Sequence, residues 1–302
     1  MDLTHLRYFQ ITATSKSMSA AARKLGISQP TLTVAIRHLE EHLGTTLFLR
    51  ERNGVRLTST GEVLLRHATQ VISLVDHAEQ DVRDLESGET GSFVLGCHEA
   101  LGAYFLPGFM PAFLRESPRV ELNLWNGTSP AVTEAVIDRR VDFGLVVNTS
   151  PHPELVILPL FEDAVDFFVA APAKGELAVT EVEDAHRRLR ASPLMFAAHM
   201  SQSHALLDQL ASEKLLPGRM LPCGDLELVK SLTLAGLGVG VLPRRVAAYG
   251  QEGRLRRLHS SLPVFTDTIS LVYRADGHRT RAAARLKDSL VRYGRGLGPS
   301  TS

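Results

Sequence analysis

Apolar residues follow a helical rhythm through the first sixty positions of the chain, which is 302 residues long. Leu3, Leu6 and Phe9 lie three apart and predict a first helix. A second, short helix over AAARKL is expected to start at Ser19 as N-cap and to stop at Gly26. A third opens with Ser28 as cap and Pro30 in its first turn. In it Leu32, Ile36, Leu39 and Leu43 make one inward stripe that ends at Gly44. The stretch TTLFLRERNGVRLT, residues 45–58, instead reads as two extended pieces around Asn53-Gly54, a strong hairpin signal. Ser59 and Glu62 fit a capping box for a long helix that meets no Pro or Gly before Gly88. Its apolar positions Leu64, Ala68, Val71, Val75, Ala78, Val82 and Leu85 alternate steps of four and three, a heptad seam. A helix this long cannot bury that seam on a small head, and an identical chain is the simplest partner.

From Gly91 onward short apolar strands alternate with helices. SFVLGC, VELNLW, VDFGLVV, DFFVAAP, PLMFAA, LGVGVLP and ISLVY are the strand candidates. YFLPGFMPAFLRES, PAVTEAVIDRR, HALLDQLASEK and DLELVKSLTLAG lie between them as helices. This alternation predicts an α/β architecture with mostly parallel sheets behind an all-α head. The Gly/Arg/Ser tail after Tyr293 is expected to fray.

Composition changes the picture at one point. Net charge is zero overall, yet residues 1–60 hold eight basic against four acidic residues and the remainder 25 against 29. A basic head thus sits on a mildly acidic body, which points the head at a polyanion. No apolar run approaches the ~20 residues that span a bilayer, so no membrane contact and a cytoplasmic location are expected. Cys97 and Cys223 stand alone and suggest neither disulfide nor zinc. GxSxG, P-loop and HExxH patterns are missing, and Gly236-x-Gly238-x-Gly240 runs into a strand, so it reads as tight helix-to-strand packing. No enzyme activity and no cofactor follow.

Two helices around a tight Gly-containing turn make a helix-turn-helix, whose second helix enters the major groove of duplex DNA. The inward stripe leaves Pro30, Thr33, Val34 and Arg37 facing outward, with Ser28, Gln29 and Thr31 beside them. Gln29 is suited to a bidentate pair with adenine, the threonines to base edges or phosphate, and Val34 to a thymine methyl. Arg37 reaches guanine or phosphate, and Arg50, Arg52 and Arg56 form a basic wing for the neighbouring backbone.

With LRYF, SAAARKLGISQPTLTVAIRHLEEHLGTTLF and RLTSTGE in place, residues 1–90 closely resemble the N-terminal module of LysR-type transcriptional regulators. The resemblance continues more loosely through FLPGFMPAF, RVDFGLVV and LTLAGLGVGVLP, to about Leu290. It implies a winged helix-turn-helix over 1–58, a dimerising linker helix over 59–89, and an effector domain of two periplasmic-binding-protein-like α/β subdomains. Subdomain I would comprise 90–164 and 267–295, subdomain II 165–266, with crossings near Asp163–Asp166 and Phe265–Thr268. Implied partners are double-stranded promoter DNA, a small-molecule effector, further copies of the chain as homodimer or homotetramer, and RNA polymerase. The family often has Ser-Arg-Gln where this chain has Thr33-Val34-Ala35. That departure predicts a site richer in A·T at the contacted step.

Ligands of open α/β sheets sit beyond strand C-termini, often at helix N-termini. That rule selects His98, Glu99, Ala100 and Leu101 after the first strand, and Thr128 and Ser129 after the second. It adds Val147 and Asn148 after the third, and Phe196, His199, Ser201, Ser203 and His204 around the end of PLMFAA. The resemblance adds Asp225 and Leu226. Hydroxyls at helix starts suit an anion, but they are also ordinary N-caps. His98-Glu99-Ala100 replaces a Ser or Thr common in the family. A carboxylate there weakens the case for an anionic ligand and raises that for hydroxyl, amide or amine groups. The spacing of His98, His199 and His204 supports no metal site. The competing readings are an enzyme or a solute-binding protein on the same scaffold. A missing nucleophile–base pair opposes the first, and the basic head opposes the second.

Overall fold

The computed structural model describes residues 1–51, 54–87, 90–171, 181–251, 253–277 and 280–298. The head holds α1 (Leu3–Ser15), α2 (Met18–Leu25), α3 (Gln29–Leu43) and an antiparallel wing of β1 (Phe48–Glu51) and β2 (Gly54–Leu57). Leu6, Phe9, Ala21, Ala22, Leu32, Ile36, Leu39 and Leu47 close its core. Ser17, not Ser19, caps α2: its Oγ accepts from the Ala20 N–H at 3.4 Å. Leu43 is 38% exposed, because the last turn of α3 runs beyond the core. Asn53 of the expected turn lies outside the described residues; Glu51 pairs with Gly54, so Gly54 belongs to the strand. Its φ of +150° and the Lys16 carbonyl oxygen, 2.2 Å from where a Cβ would stand, explain the glycine. Val55 N–H donates to that same carbonyl at 3.1 Å and docks the wing on the end of α1.

α4 (Ser59–Ser87) follows directly. Thr58 caps it in place of the expected Ser59, its Oγ1 accepting from Gly61 N–H at 3.0 Å. Thr58 is already held extended by its N–H bond to the Leu47 carbonyl at 2.9 Å. The heptad seam divides. Ala68 is buried in the head core with Ile72, and Leu64 packs against them. Val71, Ala78 and Val82 are exposed and Val75 is half-buried; the Leu85 side chain lies outside the described residues. With Leu74 (51% exposed) they leave an open apolar stripe along the stalk.

The body runs β3 (Gly91–His98), α5 (Glu99–Glu116), β4 (Val120–Gly127), α6 (Ser129–Ile137), β5 (Phe143–Val147) and β6 (Leu155–Ala170). It continues through α7 (Val182–Ala191), β7 (Leu194–Ala197), α8 (Ser201–Ser212), β8 (Met220–Cys223) and α9 (Leu226–Leu234). β9 (Val239–Pro243), α10 (Arg244–Ala248), β10 (Leu255–Arg257), β11 (Phe265–Arg274) and α11 (Arg281–Gly296) complete it. Strands are ordered β4-β3-β5-β11-β6-β9-β7-β8, with β10 on β6. β3 is parallel to β4 and β5, and β7 to β8 and β9. β11 and β6 pair antiparallel with each other, β11 also with β5, and β6 with β9 and β10. The sheet is therefore mixed rather than mostly parallel. Long β6 and β11 run side by side through the middle, bringing Asp163 opposite Asp267 and Val165 opposite Phe265.

Residues 299–302 lie outside those described, but where the tail was expected to fray, α11 runs on to Gly296. It buries Ala282, Leu286 and Leu290 and continues past Tyr293, whose ring meets Phe105 edge-on at 4.9 Å. A Cβ on Gly240 would stand 2.1 Å from Thr233 Oγ1, so α9 lies hard against β9. Among the described residues no helix is long and apolar enough to cross a membrane.

Candidate functional site

Two regions concentrate polar groups on a firm scaffold. In the head, the buried stripe of α3 forces Ser28, Gln29, Pro30, Thr31, Val34 and Arg37 into solvent, with Thr33 half-buried. A groove of about 970 Å³ runs beside this face, between α2, α3 and the wing. Several polar groups are already engaged. Ser19 Oγ donates to Gln29 Oε1 at 2.8 Å. That bond uses one lone pair of the Gln29 carbonyl oxygen and leaves its second lone pair and its N–H donors available. Thr33 Oγ1 donates to the Gln29 carbonyl at 2.9 Å. Ser28 and Thr31 hydroxyls bond each other at 2.7 Å. Arg37 sits 3.5 Å from Glu41, and Arg56 Nε 2.9 Å from Glu51; both guanidinium groups remain largely exposed. Arg52 and the Arg50 side chain lie outside the described residues.

In the body, a cleft of about 670 Å³ opens where β3, β4, β5 and β7 end. His98, Thr128, Ser129, Val147, Asn148, His199, Met200, Ser201 and Gln202 line it, as do Thr133, Glu134 and His152, which the sequence reading missed. Ala100 and Leu101 line a smaller recess beneath, together with His98, Tyr104, Asp163, Gln202 and Asp267. Phe196, Ser203, His204, Asp225 and Leu226 line neither. Phe196, Ser203 and Leu226 are core residues. His204 bonds the Ala198 carbonyl at 2.8 Å, and Asp225 caps α9 through the Leu228 N–H at 2.7 Å.

The hydroxyls expected to hold an anion are partly spent. Thr128 caps α6 through the Ala131 N–H at 3.4 Å, and Ser129 Oγ accepts from Val147 N–H at 2.9 Å. Glu99 turns aside to pair with His199 across the cleft. Asp267 receives Asn148 Nδ2 at 2.6 Å and Gln202 Nε2 at 3.1 Å. Burial pushes its carboxyl up to about 6, against the lowering effect of those two amides. His98, at the end of β3, caps α5 with its own ring: Nδ1 accepts from Ala100 N–H at 3.3 Å. Burial draws its imidazole below the usual histidine range. Asp267 had no signal in the sequence as a cleft residue, because it matters only through strand pairing from far along the chain.

The stalk is tied to this cleft. Gln70 Nε2 donates to Asp138 Oδ1 at 3.1 Å, and Ser73 Oγ donates to the Arg139 carbonyl. Both partners follow α6, the helix whose first turn lines the cleft.

Comparison with known proteins agrees with this arrangement. Residues 3–62 match the family described as bacterial regulatory helix-turn-helix protein, lysR family, and residues 86–295 match the LysR substrate binding domain. The uncharacterized HTH-type transcriptional regulator YusT of Bacillus subtilis (strain 168) is 31% identical over 85% of this chain and 84% of its own. The HTH-type transcriptional regulator CbbR of Xanthobacter flavus is 28% identical over 98% and 89%. The crystal structure of CbnR, a LysR family transcriptional regulator, superposes with a TM-score of 0.71 at 23% identity, over 97% of this chain and 99% of that one. Full-length CbnR complexed with its target DNA gives 0.70 at 23%, over 97% and 100%. Head, stalk and clefted body thus place the chain in the LysR family of DNA-binding transcriptional regulators, which are not enzymes.

Proposed function

We propose that α3 reads the major groove through Gln29, Thr33, Val34 and Arg37, that the wing with Arg56, and by position Arg50 and Arg52, lies on the flanking phosphates, and that the cleft takes a small-molecule effector. The observation that carries the DNA reading is the polar, exposed outer face of α3 on a fully packed stripe, in a head with excess positive charge. The exposed stripe of α4 supports pairing with a second copy into a homodimer, and dimers of dimers into a homotetramer. The functional units are residues 1–58, 59–89, 90–164 with 267–295, and 165–266. A cytoplasmic site of action and contact with RNA polymerase belong to the same reading.

Chemically, α3 offers methyl surface from Thr33 and Val34 beside the Gln29 amide, whose oxygen is steered by Ser19. That combination favours thymine methyls and acceptor edges, hence an A·T-rich step. Selection of binding sites from a randomised half-site, scored by fluorescence anisotropy at moderate salt, tests this. Wild-type protein is expected to enrich one sequence far above random duplex. Ser19→Ala, which frees Gln29 Oε1, should alter base preference at one position rather than weaken all sites evenly. Equal affinity for selected and random duplex would overturn the reading.

A further inference from the structure

The cleft contains three histidines and Glu134, but no lysine or arginine, among its lining residues. Its inner recess shares His98, Val147, Met200 and Gln202 with the cleft and adds two buried carboxyls, Asp163 and Asp267. The recess measures about 10 Å³, room for roughly one water-sized group.

Asp166, also fully buried on β6, sets the contrast. Two guanidinium groups satisfy it, Arg244 Nε at 2.5 Å and Arg257 Nε at 2.8 Å. Asp267, 4% exposed, has only the neutral amides of Asn148 and Gln202, and no Lys, Arg or His pairs with it among the described residues. A buried carboxylate without a cation is costly, and Asp163 opposite adds to that cost. A cation delivered into the recess removes the deficit.

His98 supplies the second, independent feature. Its Nδ1 accepts from the Ala100 N–H, so the ring proton resides on Nε2. The ring is 7% exposed and lines both cavities, and Nε2 has no hydrogen-bond partner among the described residues. A neutral donor thus belongs to the lining of the recess that Asp267 also lines, and calls for an oxygen acceptor.

We propose that the effector is an amine-bearing metabolite whose ammonium group enters the recess against Asp267, while an oxygen on a neighbouring carbon accepts from His98 Nε2–H. Amino acids and amino alcohols have this pattern; dicarboxylates and aromatic acids do not. The inference rests on the reading of the cleft as the effector site.

The test is thermal shift followed by calorimetry on the full-length protein. Probes are common amino acids, amino alcohols and diamines, each beside an analogue with hydroxyl or hydrogen in place of the ammonium. Stabilising probes are expected only among the amines. Asp267→Asn, which keeps an acceptor for Asn148 and Gln202, should weaken the best amine by about 30-fold or more. His98→Phe should weaken amines that carry the neighbouring oxygen more than those that lack it. Analogues binding as tightly as their amines, an amine indifferent to Asp267→Asn, or no amine binding at all would each overturn the proposal. Thr133→Trp, at the cleft mouth, separates the two readings. A non-amine ligand lost in Thr133→Trp overturns the amine class and keeps the cleft. A ligand untouched by Thr133→Trp overturns both. Operator binding by the same preparations reports the DNA reading separately.

Discussion

Asp166 and Asp267 lie on neighbouring strands, both shut from water, and differ in what neutralises them. Two arginines pair with Asp166, whereas Asp267 has only the amides of Asn148 and Gln202. Its carboxyl is raised from 3.8 to about 6, so the folded chain binds this proton more tightly than the unfolded chain. Stability then falls as pH rises through the window from about 4 to about 6, by about 3 kcal/mol for a shift of this size. Asp267→Asn removes the dependence. Compared with wild type by urea melts at pH 4.5 and 8, the variant should gain most of that difference at the higher pH and little at the lower. Sequence alone shows His98, Thr128 and Asn148, because strand ends and helix starts announce themselves. It does not show Asp267, whose place depends on pairing opposite Asp163, a hundred residues earlier.

At the scale of elements, the stalk helix α4 does two jobs along its length. Its first turns complete the head core through Ala68 and Ile72, and its later turns leave Val71, Leu74, Ala78 and Val82 in solvent. Leu74 and Ala78 border a cavity shared with Val141, Phe143 and Tyr273 of the body, while Val71 and Val82 stay exposed, the arrangement of a seam open to a second helix. Val71→Asp with Val82→Asp is expected to shift the protein from dimer or larger to monomer in sedimentation velocity. The head melting temperature should hardly move, since neither residue belongs to its core. Elements with a wide apolar stripe, such as α3 and α4, were legible from periodicity. Those with a thin one were not: α7 buries only Ala185 and Leu189 among charges, and α10 only Val246 and Ala247. β8 hides behind Pro222, and β10 is three residues with two arginines. In each case docking on a neighbour, not local pattern, fixes the element.

At the scale of the whole molecule, α6 connects cleft to stalk. Thr128 and Ser129 at its start line the cleft, and Asp138 and Arg139 just past its end hold Gln70 and Ser73 of α4. Across the cleft, Glu99–His199 and Asn148–Asp267–Gln202 join the two sides. A ligand that rearranges these contacts changes how the stalk is held and so how paired heads are spaced. The coupling must be reciprocal: operator DNA should change ligand affinity by the factor by which ligand changes DNA affinity. Gln70→Ala with Ser73→Ala is expected to shrink that factor in paired titrations while leaving each separate affinity close to wild type.

The central position of β11 carries one more consequence. It fills the gap between β5 and β6, yet it is made after nearly everything else. During synthesis the head and stalk emerge complete while half of the body still waits for its last strand. A chain ending before residue 265 would keep α1–α4 but lack β11 and α11, and with them Asp267 of the recess.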